Sequence, residues 1–357
     1  MAIYFTVALI TAVFSEISVK SSNKIIRRVC VLFVIALPSL LFAFRYGIGT
    51  DYFAYVSNFQ KLQTIGIHAV RFKFEWVYIL INLIVGKLNG SIEMVFLITS
   101  IIMMSFIYYA ARHYAKYLSV GAAIFSYMML YYQMSFNIVR QSVAMAICLY
   151  SIKYIHDRKL FKFLLFILIA SGFHISALMF FPFYFLYKIL GWKNKKAIRV
   201  LFYIIVLIGV FNINSLVITI INRIPSLSYY RVYFQSSGRN IDVGFLIRYS
   251  PFLLTALYLY KHSWKRDKNF TLIFSLFIIG LILKLSGIVG SSYINRIALN
   301  FEITLILIIA YFVKGFNRKR ELFASLILLL YVGFNWWYIY IYIGSHGTFP
   351  YRSIFSL

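Results

Sequence analysis

The chain has 357 residues, of which 62% are hydrophobic and only 13% are charged, and its formal net charge is +27. Apolar runs recur along the whole chain, and a water-soluble domain could not bury that much apolar surface. The composition therefore excludes an ordinary soluble protein and predicts a polytopic membrane protein. The positive charge does not indicate nucleic-acid binding, because the lysines and arginines fall in short loops between apolar segments, where the positive-inside rule places them.

Apolar segments follow one another in chain order, and they predict an all-α fold with about 12 transmembrane helices. Several segments are shorter than the roughly 20 residues that a straight span needs, so some helices are expected to be short or re-entrant. The pair 160–171 and 175–190 is a candidate for a shallow hairpin. The segments are 2–19, 29–44, 75–87, 92–111, 120–136, 138–155, 160–171, 175–190, 198–211, 245–260, 270–287, 297–313 and 322–341.

One integral domain, 1–357, is expected because no shift in composition marks a boundary. Cys30 and Cys148 both fall inside apolar segments, so each is expected to be a buried small side chain and not part of a disulfide or metal site. Basic clusters between the segments are expected to face the cytoplasm. These clusters are Lys20 to Arg28, Arg158 to Lys162, Lys188 to Arg199, Lys261 to Lys268 and Lys314 to Arg320.

The alternate loops are expected to face outward, and their basic residues are mostly arginine, whereas the inner clusters are mostly lysine. A guanidinium fork binds phosphate through two contacts, so an arginine-rich outer face indicates a phosphate-bearing or otherwise anionic ligand. For any single arginine, the alternative is a side chain that only snorkels at the interface. The outer pieces are 45–73, the junctions near Asn137 and His174, 212–243, 288–296 and the tail 344–357.

This topology contains one contradiction, between residue 73 and Asn137. Three apolar segments separate two points that the basic loops place on the same side, and an odd number of spans cannot connect them. Either one segment, with the short 75–87 as the first candidate, does not cross, or the break between 136 and 138 is false. The sequence leaves both explanations open.

Two motifs place polar residues at the mouths of apolar segments. In SFNIVRQ, Asn137, Arg140 and Gln141 have the spacing i, i+3 and i+4, so a helix would place them on one face, which is costly unless it meets a ligand, water or a partner. In SGFHISAL, His174 stands alone. Such a histidine is more often a satisfied helix-end group, but beside outer arginines it is also a candidate general base for a hydroxyl.

A third motif, FRYGIGTDYFAY at 44–55, follows an apolar segment. Its two glycines allow a tight turn, and Asp51 is expected to cap a short helix that begins near Tyr52 and to pair with Arg45. Tyr52 and Tyr55 offer aromatic faces of the kind that stack on sugar rings. A turn followed by a helix cap is the simpler interpretation, and the strand–turn–helix context of a nucleotide site is not found here.

Together, FRYGIGTDYFAY, FNIVRQ, GFHISAL, the arginine of INRIALNF and the terminal PYRSIF resemble, in this order, the motifs of the EpsG family of membrane proteins. That family is grouped with Wzy-type polymerases of O-antigen, capsule and exopolysaccharide. The region 190–290 resembles the family only in hydropathy and in a tyrosine-rich loop. The matching motif positions are Arg45, Gly49, Asp51, Asn137, Arg140, Gln141, His174, Arg296, Tyr351 and Arg352.

The resemblance implies a polysaccharide polymerase, a glycosyltransferase at the outer face of the bacterial cytoplasmic membrane. The nine acidic residues show no carboxylate pair and the sequence has no metal-ligand spacing, so a metal-independent transfer without a cofactor is expected. It would transfer a growing glycan from undecaprenyl diphosphate onto a sugar hydroxyl of another lipid-linked repeat unit. Arginines would stabilise the charge that develops on the diphosphate leaving group. The expected partners are the undecaprenyl-diphosphate-linked oligosaccharide, membrane lipid, a chain-length regulator and a flippase.

Roles in that reaction can be assigned to individual residues. His174, Asp51 and Arg140 are the candidate catalytic residues, and His174 is preferred to Asp51 as the base because histidine titrates near neutral pH. The predicted substrate-binding residues are Arg45, Tyr55, Asn137, Gln141, Arg231, Arg239, Arg296, Tyr351 and Arg352.

Two other functions fit parts of the sequence. A transporter or flippase for lipid-linked oligosaccharides could use Lys284 and Glu302 as an intramembrane charge pair, although the polar groups gather at one face instead of at mid-membrane. A membrane acyltransferase that modifies glycans could use His174 as its base. That function leaves the many arginines without a role.

Overall fold

The computed structural model describes residues 1–69, 74–190, 197–198, 200–208, 219, 223, 243–262, 269–289, 292–314 and 319–356. Across these ranges the chain is helical and contains no strand, apart from one isolated bridge between Arg45 and Ser353, so the predicted all-α fold is confirmed. The predicted outer loop 212–243, with Arg231 and Arg239, lies almost entirely outside the described residues, as do most of the basic positions between 188 and 199.

Two compact units divide the chain, Met1–Leu178 with Ile309–Leu357 and Met179–Ile308. The first unit consists of two stretches of chain. The helices of its first stretch are α1 (Ala2–Lys20), α2 (Lys24–Ala43), α3 (Tyr52–Thr64), α4 (Trp76–Lys87), α5 (Ile92–His113), α6 (Val120–Tyr127), α7 (Val139–His156) and α8 (Leu160–Ser171). The second unit contains α9 (Phe183–Leu190), α10 (Val243–His262), α11 (Phe270–Val289) and α12 (Ser292–Glu302). Helix α13 (Leu305–Lys314) follows, and α14 (Lys319–Trp336) continues into a π-helical turn at Trp337–Tyr342.

Several helices are long and apolar enough to cross a membrane, in agreement with a multi-pass protein. In the part of the chain that the structure describes, five stretches meet this criterion, and shorter apolar helices accompany them. The five are Ala2–Lys20, Lys24–Ala43, Ile92–His113, Ile294–Lys314 and Leu322–Tyr342.

Helix α5 forms the centre of the first unit, where it packs against α2 and α7. Helix α1 packs between α2 and α6, and α8 packs against α7. The side chains between these helices are mostly apolar, with small hydroxyl side chains such as that of Thr99 buried among them, and Val34, Phe96, Ile107 and Val143 have no exposed surface. Apolar helices therefore pack side by side and leave most charged groups at their ends.

Those two ends differ in chemistry. At one end, Lys20 is the last residue of α1, Tyr114 lies 6.4 Å from His156 between ring centroids, and the Lys314 ammonium donates to the carbonyl of Ala115. The opposite end carries the segments 44–55, 136–141, 172–176 and 344–355, and we call it the motif end. Both ends belong to the first unit, and the separation of its basic inner loops from its motifs agrees with the sequence pattern.

Helix α4 explains the odd number of apolar segments before Asn137. The ring of Tyr55 lies 6.0 Å from that of Tyr78, in the first turn of α4, and 6.1 Å from that of Phe96, near the start of α5. Because Tyr55 contacts both helices near their starts, both begin at the motif end, and the chain returns to that end between them. The 12 residues of α4 also fall short of a straight span. The break after residue 136 is real, since Ile138 has non-helical angles of −99° and 49°.

Three predicted segment boundaries are wrong. Helix α2 begins at Lys24, inside the predicted basic loop, because the Asn23 side chain accepts bonds from the amides of Ile25 and Ile26 at 2.8 and 3.3 Å. The segment 175–190 is divided into a 3-10 turn, Ile175–Phe180, and α9. The segment 297–313 is likewise divided, between α12 and α13.

Candidate functional site

The motif end is built where the loop 44–51 meets the C-terminal tail. The amide of Tyr46 donates to the carbonyl of Arg352 at 3.0 Å, and the amide of Ile354 donates to the carbonyl of Phe44 at 3.0 Å. Further along, the amide of Gly49 donates to the carbonyl of Gly347 at 2.9 Å. These backbone bonds join segments that lie about 300 residues apart in the sequence.

Gly49 fits this junction for two physical reasons. Its φ angle is +94°, which side-chain-bearing residues rarely adopt, and a Cβ atom there would lie 2.5 Å from Oδ1 of Asn137. The turn predicted from the two glycines is therefore confirmed, and it also allows the loop to approach the segment 136–141 closely.

Asn137 links the loop, the tail and helix α3. Its Nδ2 atom donates to the carbonyl of His346 at 3.0 Å and lies 3.1 Å from Nδ1 of the same histidine. The hydroxyl of Tyr55 donates to the carbonyl of Asn137 at 3.0 Å. Asn137 precedes α7 and is not on a helix face with Arg140 and Gln141, so that prediction is wrong: the chain turns before the helix begins at Val139.

His346 was not identified from the sequence. Its φ angle is +69°, and Gly344 and Gly347 on either side also have positive φ angles. The amide of Thr50 donates to the carbonyl of His346 at 3.3 Å. A histidine between two glycines in GSHGT was the available signal, since glycines so placed indicate a tight turn.

Arg45 is fully buried beneath the loop. Its guanidinium carbon lies 4.0 Å from the ring centroid of Phe96 and 4.1 Å from that of Phe42. Its Nη1 and Nη2 atoms donate to the carbonyls of Phe42 at 2.8 Å and Phe136 at 3.2 Å. Burial lowers the pKa of Arg45 to about 10, so the side chain remains charged at neutral pH. The structure gives Arg45 a role in holding the fold.

Asp51 does not pair with Arg45, and this part of the prediction is wrong because Arg45 points into the core while Asp51 is exposed. Helix α3 begins at Tyr52 as predicted. However, Asp51 occupies the N-cap position without a hydrogen bond from its side chain to the helix. The Thr50 hydroxyl donates to Oδ1 of Asp51 at 3.3 Å. The carboxylate is thus presented at the surface of the motif end.

Tyr52 and Tyr55 are buried, and their rings contact other aromatic side chains. The ring of Tyr55 is stacked with that of Phe74 at 6.1 Å, and Tyr52 lies 5.2 Å from Phe53 between ring centroids. Neither face is open to a sugar ring in this arrangement. Tyr351 is half-buried, and its hydroxyl donates to the carbonyl of Leu41 at 3.0 Å.

Arg140 forms an ion pair with Glu75. Glu75, like His346, was not identified from the sequence. The guanidinium carbon lies 4.7 Å from the ring centroid of Phe74, and the other oxygen of Glu75 accepts a hydrogen bond from the amide of Ile175 at 3.2 Å. Each side chain of the pair keeps 19% of its surface exposed. An acidic residue at the mouth of an apolar segment, in a chain with only nine acids, was the signal that could have identified Glu75.

His174 lies where the sequence placed it, between α8 and the 3-10 turn, but only 7% of its surface is exposed. Its Nδ1 atom is 2.8 Å from the hydroxyl of Ser176 and accepts the amide of Ser176 at 3.3 Å. An accepting Nδ1 assigns the proton of the neutral ring to Nε2. In this tautomer His174 is a hydrogen-bond donor from Nε2.

Arg296 belongs to the second unit, where it is exposed on α12. In the same unit Lys284 and Glu302 form the predicted pair, with Nζ and Oε2 3.3 Å apart, and the hydroxyl of Tyr249 donates to Glu302. Gly280 allows this approach, because a Cβ atom there would lie 2.7 Å from the amide nitrogen of Glu302.

The predicted site residues therefore fall into two groups by exposure. Asp51, Arg296 and Arg352 are exposed and Arg140 is partly exposed, whereas the other described candidates are half-buried or buried. The first unit brings together the candidates of four motifs, the exception being the motif that contains Arg296. The buried or half-buried candidates are Arg45, Tyr55, Asn137, Gln141, His174 and Tyr351.

Comparison with curated proteins and with solved structures finds no match in either. A comparison with protein-family models does find one, to the EpsG family, and it covers residues 1–353. The match includes the motifs of the motif end, the terminal one as far as Ser353, and the motif of Arg296. Because it extends over nearly the whole chain, this protein belongs to the EpsG family.

Proposed function

We propose that the protein is a polysaccharide polymerase that elongates a glycan on a lipid carrier at the outer face of the bacterial cytoplasmic membrane. Membership of the EpsG family supports a role in polysaccharide biosynthesis at a membrane. The observation that carries the proposal is the meeting of four distant motifs at one end of a helical bundle. Their exposed residues are a carboxylate and arginines, which suit a transfer with a diphosphate leaving group.

In the proposed reaction, a hydroxyl oxygen of the acceptor repeat unit attacks the anomeric carbon of the donor glycan. The bond between that carbon and the carrier diphosphate breaks, and the diphosphate leaves with the electron pair. The acceptor proton passes to a base. Undecaprenyl-diphosphate-linked oligosaccharides serve as both donor and acceptor, and the reaction needs neither a metal nor a cofactor.

We assign the base to Asp51 in preference to His174. Asp51 is exposed and its carboxylate is not used to cap α3, whereas Nδ1 of His174 is already an acceptor for Ser176. A carboxylate is sufficient when the hydroxyl becomes acidic as its bond to the anomeric carbon forms. His174 then acts as a buried positioning residue that donates from Nε2.

We assign the diphosphate to Arg140 and Arg352, and Arg296 stays a predicted substrate contact. Arg140 is oriented by Glu75 and by the face of Phe74, so its guanidinium is held in place before substrate binds. The predicted sugar contacts of Asn137, Gln141 and Tyr55 are replaced by positioning roles, because these side chains are buried. Arg231 and Arg239 stay predicted substrate contacts, outside the described residues.

The proposed orientation places the motif end outside and the lysine-rich end in the cytoplasm. In this topology α4 is re-entrant and does not cross. Bulk lipid surrounds the bundle, while a flippase that delivers the repeat units and a regulator of chain length are the proposed protein partners.

A second candidate function is transport of the lipid-linked oligosaccharide, and one observation favours it. The pair of Lys284 and Glu302, with Tyr249 as a third member, is the kind of buried charge group that transporters use.

Purified protein reconstituted with synthetic lipid-linked repeat units tests both functions. Products longer than one repeat support the polymerase. Movement of a labelled repeat unit across the bilayer without elongation would support the transporter instead. Elongation should be lost in Asp51→Asn and retained in Lys61→Gln, a matched change of an exposed charge on the same helix–loop segment.

A further inference from the structure

A long apolar groove runs along the outside of the first unit. Its walls are α1 and α14, its floor is α6, and its cavity volume is about 740 Å³. This volume lies within the range of about 300 to 1,000 Å³ that is usual for small-molecule sites. The main lining residues are Phe5, Leu9, Val13, Phe125, Leu330, Gly333 and Phe334.

The groove follows one face of α1. Phe5, Leu9, Val13 and Glu16 line it at intervals of three or four residues, and the distance along the helix axis from Phe5 to Glu16 is about 16 Å. Across the groove, the ring of Trp336 lies 6.2 Å from that of Phe5, so α14 runs antiparallel to α1. The groove is therefore elongated and suits an extended hydrocarbon chain better than a compact ligand.

At one end of the groove, hydrogen bonds connect its lining residues to the C-terminal tail of the motif end. Trp336, which lines the groove, donates from Nε1 to the side chain of Gln133. Nε2 of Gln133 donates to the hydroxyl of Thr348 at 2.9 Å, and Tyr4, the residue before Phe5, donates to the carbonyl of Thr348 at 2.7 Å.

Arg352 places a cation near this end. The ring of Tyr351 lies 5.7 Å from that of Tyr4 in an edge-to-face arrangement, and Arg352, the next residue, is exposed. A ligand that leaves the groove here comes near the tail, which carries Arg352. An anionic head group attached to a hydrocarbon chain would thus come near a guanidinium.

The other end of the groove has the opposite character. The carboxylate of Glu16 lines it and accepts hydrogen bonds from the amide of Gly121 at 2.8 Å and the hydroxyl of Ser119 at 3.0 Å. Lys20 pairs with the same carboxylate at 3.1 Å. At this end of the groove the ammonium of Lys20 and the carboxylate of Glu16 neutralise each other, whereas Arg352 is exposed near the other end. An anionic head group is therefore favoured at the motif end.

We propose that this groove holds the isoprenoid chain of the lipid carrier, with its phosphate groups at the motif end. The identity of the chain rests on the proposed function, whereas the groove, its apolar walls and its two unlike ends do not. The groove would align the carrier so that the reacting diphosphate reaches the loop 44–51 and the tail.

Gly333 makes a direct test possible. It lies in α14 and lines the groove, and a Cβ atom there would meet no atom within 4 Å. Gly333→Leu should narrow the groove, since its Cβ atom meets open space, and leucine favours a helix more than glycine does. Ile327→Phe is the matched control, because Ile327 is exposed on the same helix and does not line the groove.

The full-length protein in lipid nanodiscs would be irradiated with a polyprenyl phosphate that carries a diazirine on its isoprenoid chain. Labelling is expected on the α1 and α14 residues that line the groove, and excess unlabelled polyprenyl phosphate should remove it. Gly333→Leu should reduce the labelling roughly tenfold, while Ile327→Phe should leave it unchanged.

The proposal fails if phosphatidylglycerol competes as well as polyprenyl phosphate does, because the groove would then be an ordinary lipid-covered face. It also fails if Gly333→Leu labels like the unsubstituted protein. Groove labelling in a protein that does not elongate glycans would support the groove and contradict the polymerase, so the two proposals can be separated.

Discussion

Arg45 has a side chain of the type that often binds ligands, but here its guanidinium packs in the core. A positive charge inside a helical bundle is costly, and here three aromatic rings and two carbonyl groups surround it. The guanidinium bonds Phe42, near the end of α2, and Phe136, just before α7, at the same time. The residue thus joins two helix ends beneath the loop that carries Asp51.

Replacement of Arg45 by lysine should destabilise the protein. Two different nitrogens of the planar guanidinium bond the carbonyls of Phe42 and Phe136, and the compact ammonium of lysine does not reproduce this fork. One buried carbonyl left without a donor costs roughly 2 kcal/mol. Thermal unfolding in detergent would show a lower midpoint for Arg45→Lys. Arg352→Lys serves as the control, because its side chain is exposed and its midpoint should not change. Equal midpoints for both variants would contradict the structural role of Arg45.

The roles of Asp51 and His174 can be separated by activity and stability measured together. Asp51→Asn should reduce polymer yield by roughly 100-fold or more, at normal protein levels, because it removes an exposed base. His174→Ala should lower thermal stability as well as yield, since it leaves the buried amide of Ser176 without its acceptor. Full polymer yield from Asp51→Asn, with His174→Ala inactive but stable, would return the base to His174.

Arg140 should not be replaceable by lysine. Its planar guanidinium pairs with Glu75 and lies over Phe74, and a point charge cannot keep both contacts while also holding a phosphate. Arg140→Lys should therefore lower polymer yield with little change in protein level. The comparison with Lys153→Arg, a change at the opposite end of α7, controls for the general effect of altering a basic residue. Normal polymer from Arg140→Lys would leave only the ion pair with Glu75 as its role.

At the scale of elements, the C-terminal tail acts as part of the site. It is bonded to the loop 44–51 by backbone hydrogen bonds, to Asn137 through His346, and to Gln133 through Thr348. These contacts place His346 beside Thr50 and the backbone of Arg352 beside Tyr46. The loop, the tail and the turn before α7 therefore support one another.

Gly49 is the position most sensitive to this arrangement. Gly49→Ala would introduce a Cβ atom 2.5 Å from Oδ1 of Asn137 at a φ angle of +94°, and a strained residue of this kind costs about 1 to 3 kcal/mol. Lower thermal stability and lower polymer yield are expected together. Gly333→Ala is the matched control, since its helical position has open space around it, and it should be neutral or slightly stabilising.

At the scale of the whole molecule, sidedness can be measured with an impermeant thiol reagent on intact cells. Cys30 and Cys148 are both buried, so a new cysteine should dominate the labelling. Thr50→Cys, at the motif end, should react, whereas Lys159→Cys, beyond α7, should react only after the membrane is made permeable. The reverse order would overturn the orientation. Gly172 is unsuitable for this purpose, because a side chain there would meet Val77 at 2.4 Å.

The sequence alone determined the class of the protein, the helical segments and the motifs. Apolar runs and basic loops are local patterns, and they predict helices and their ends because a membrane leaves few other structures for such a chain. The short helix after Asp51, the turn at Gly49 and the pair of Lys284 and Glu302 were all predicted in this way, whereas the break before α7 was left open.

Only the tertiary structure decided which motif residues are buried and which are exposed to solvent. Arg45 and Asp51 are six residues apart, yet one contacts the core and the other solvent, because Arg45 finds its acceptors at Phe136. Likewise Arg140 pairs with Glu75, and Asn137 donates a hydrogen bond to His346, although both partners are far away in the sequence. Such partners depend on how helices pack against one another, and no local spacing in the sequence records that packing.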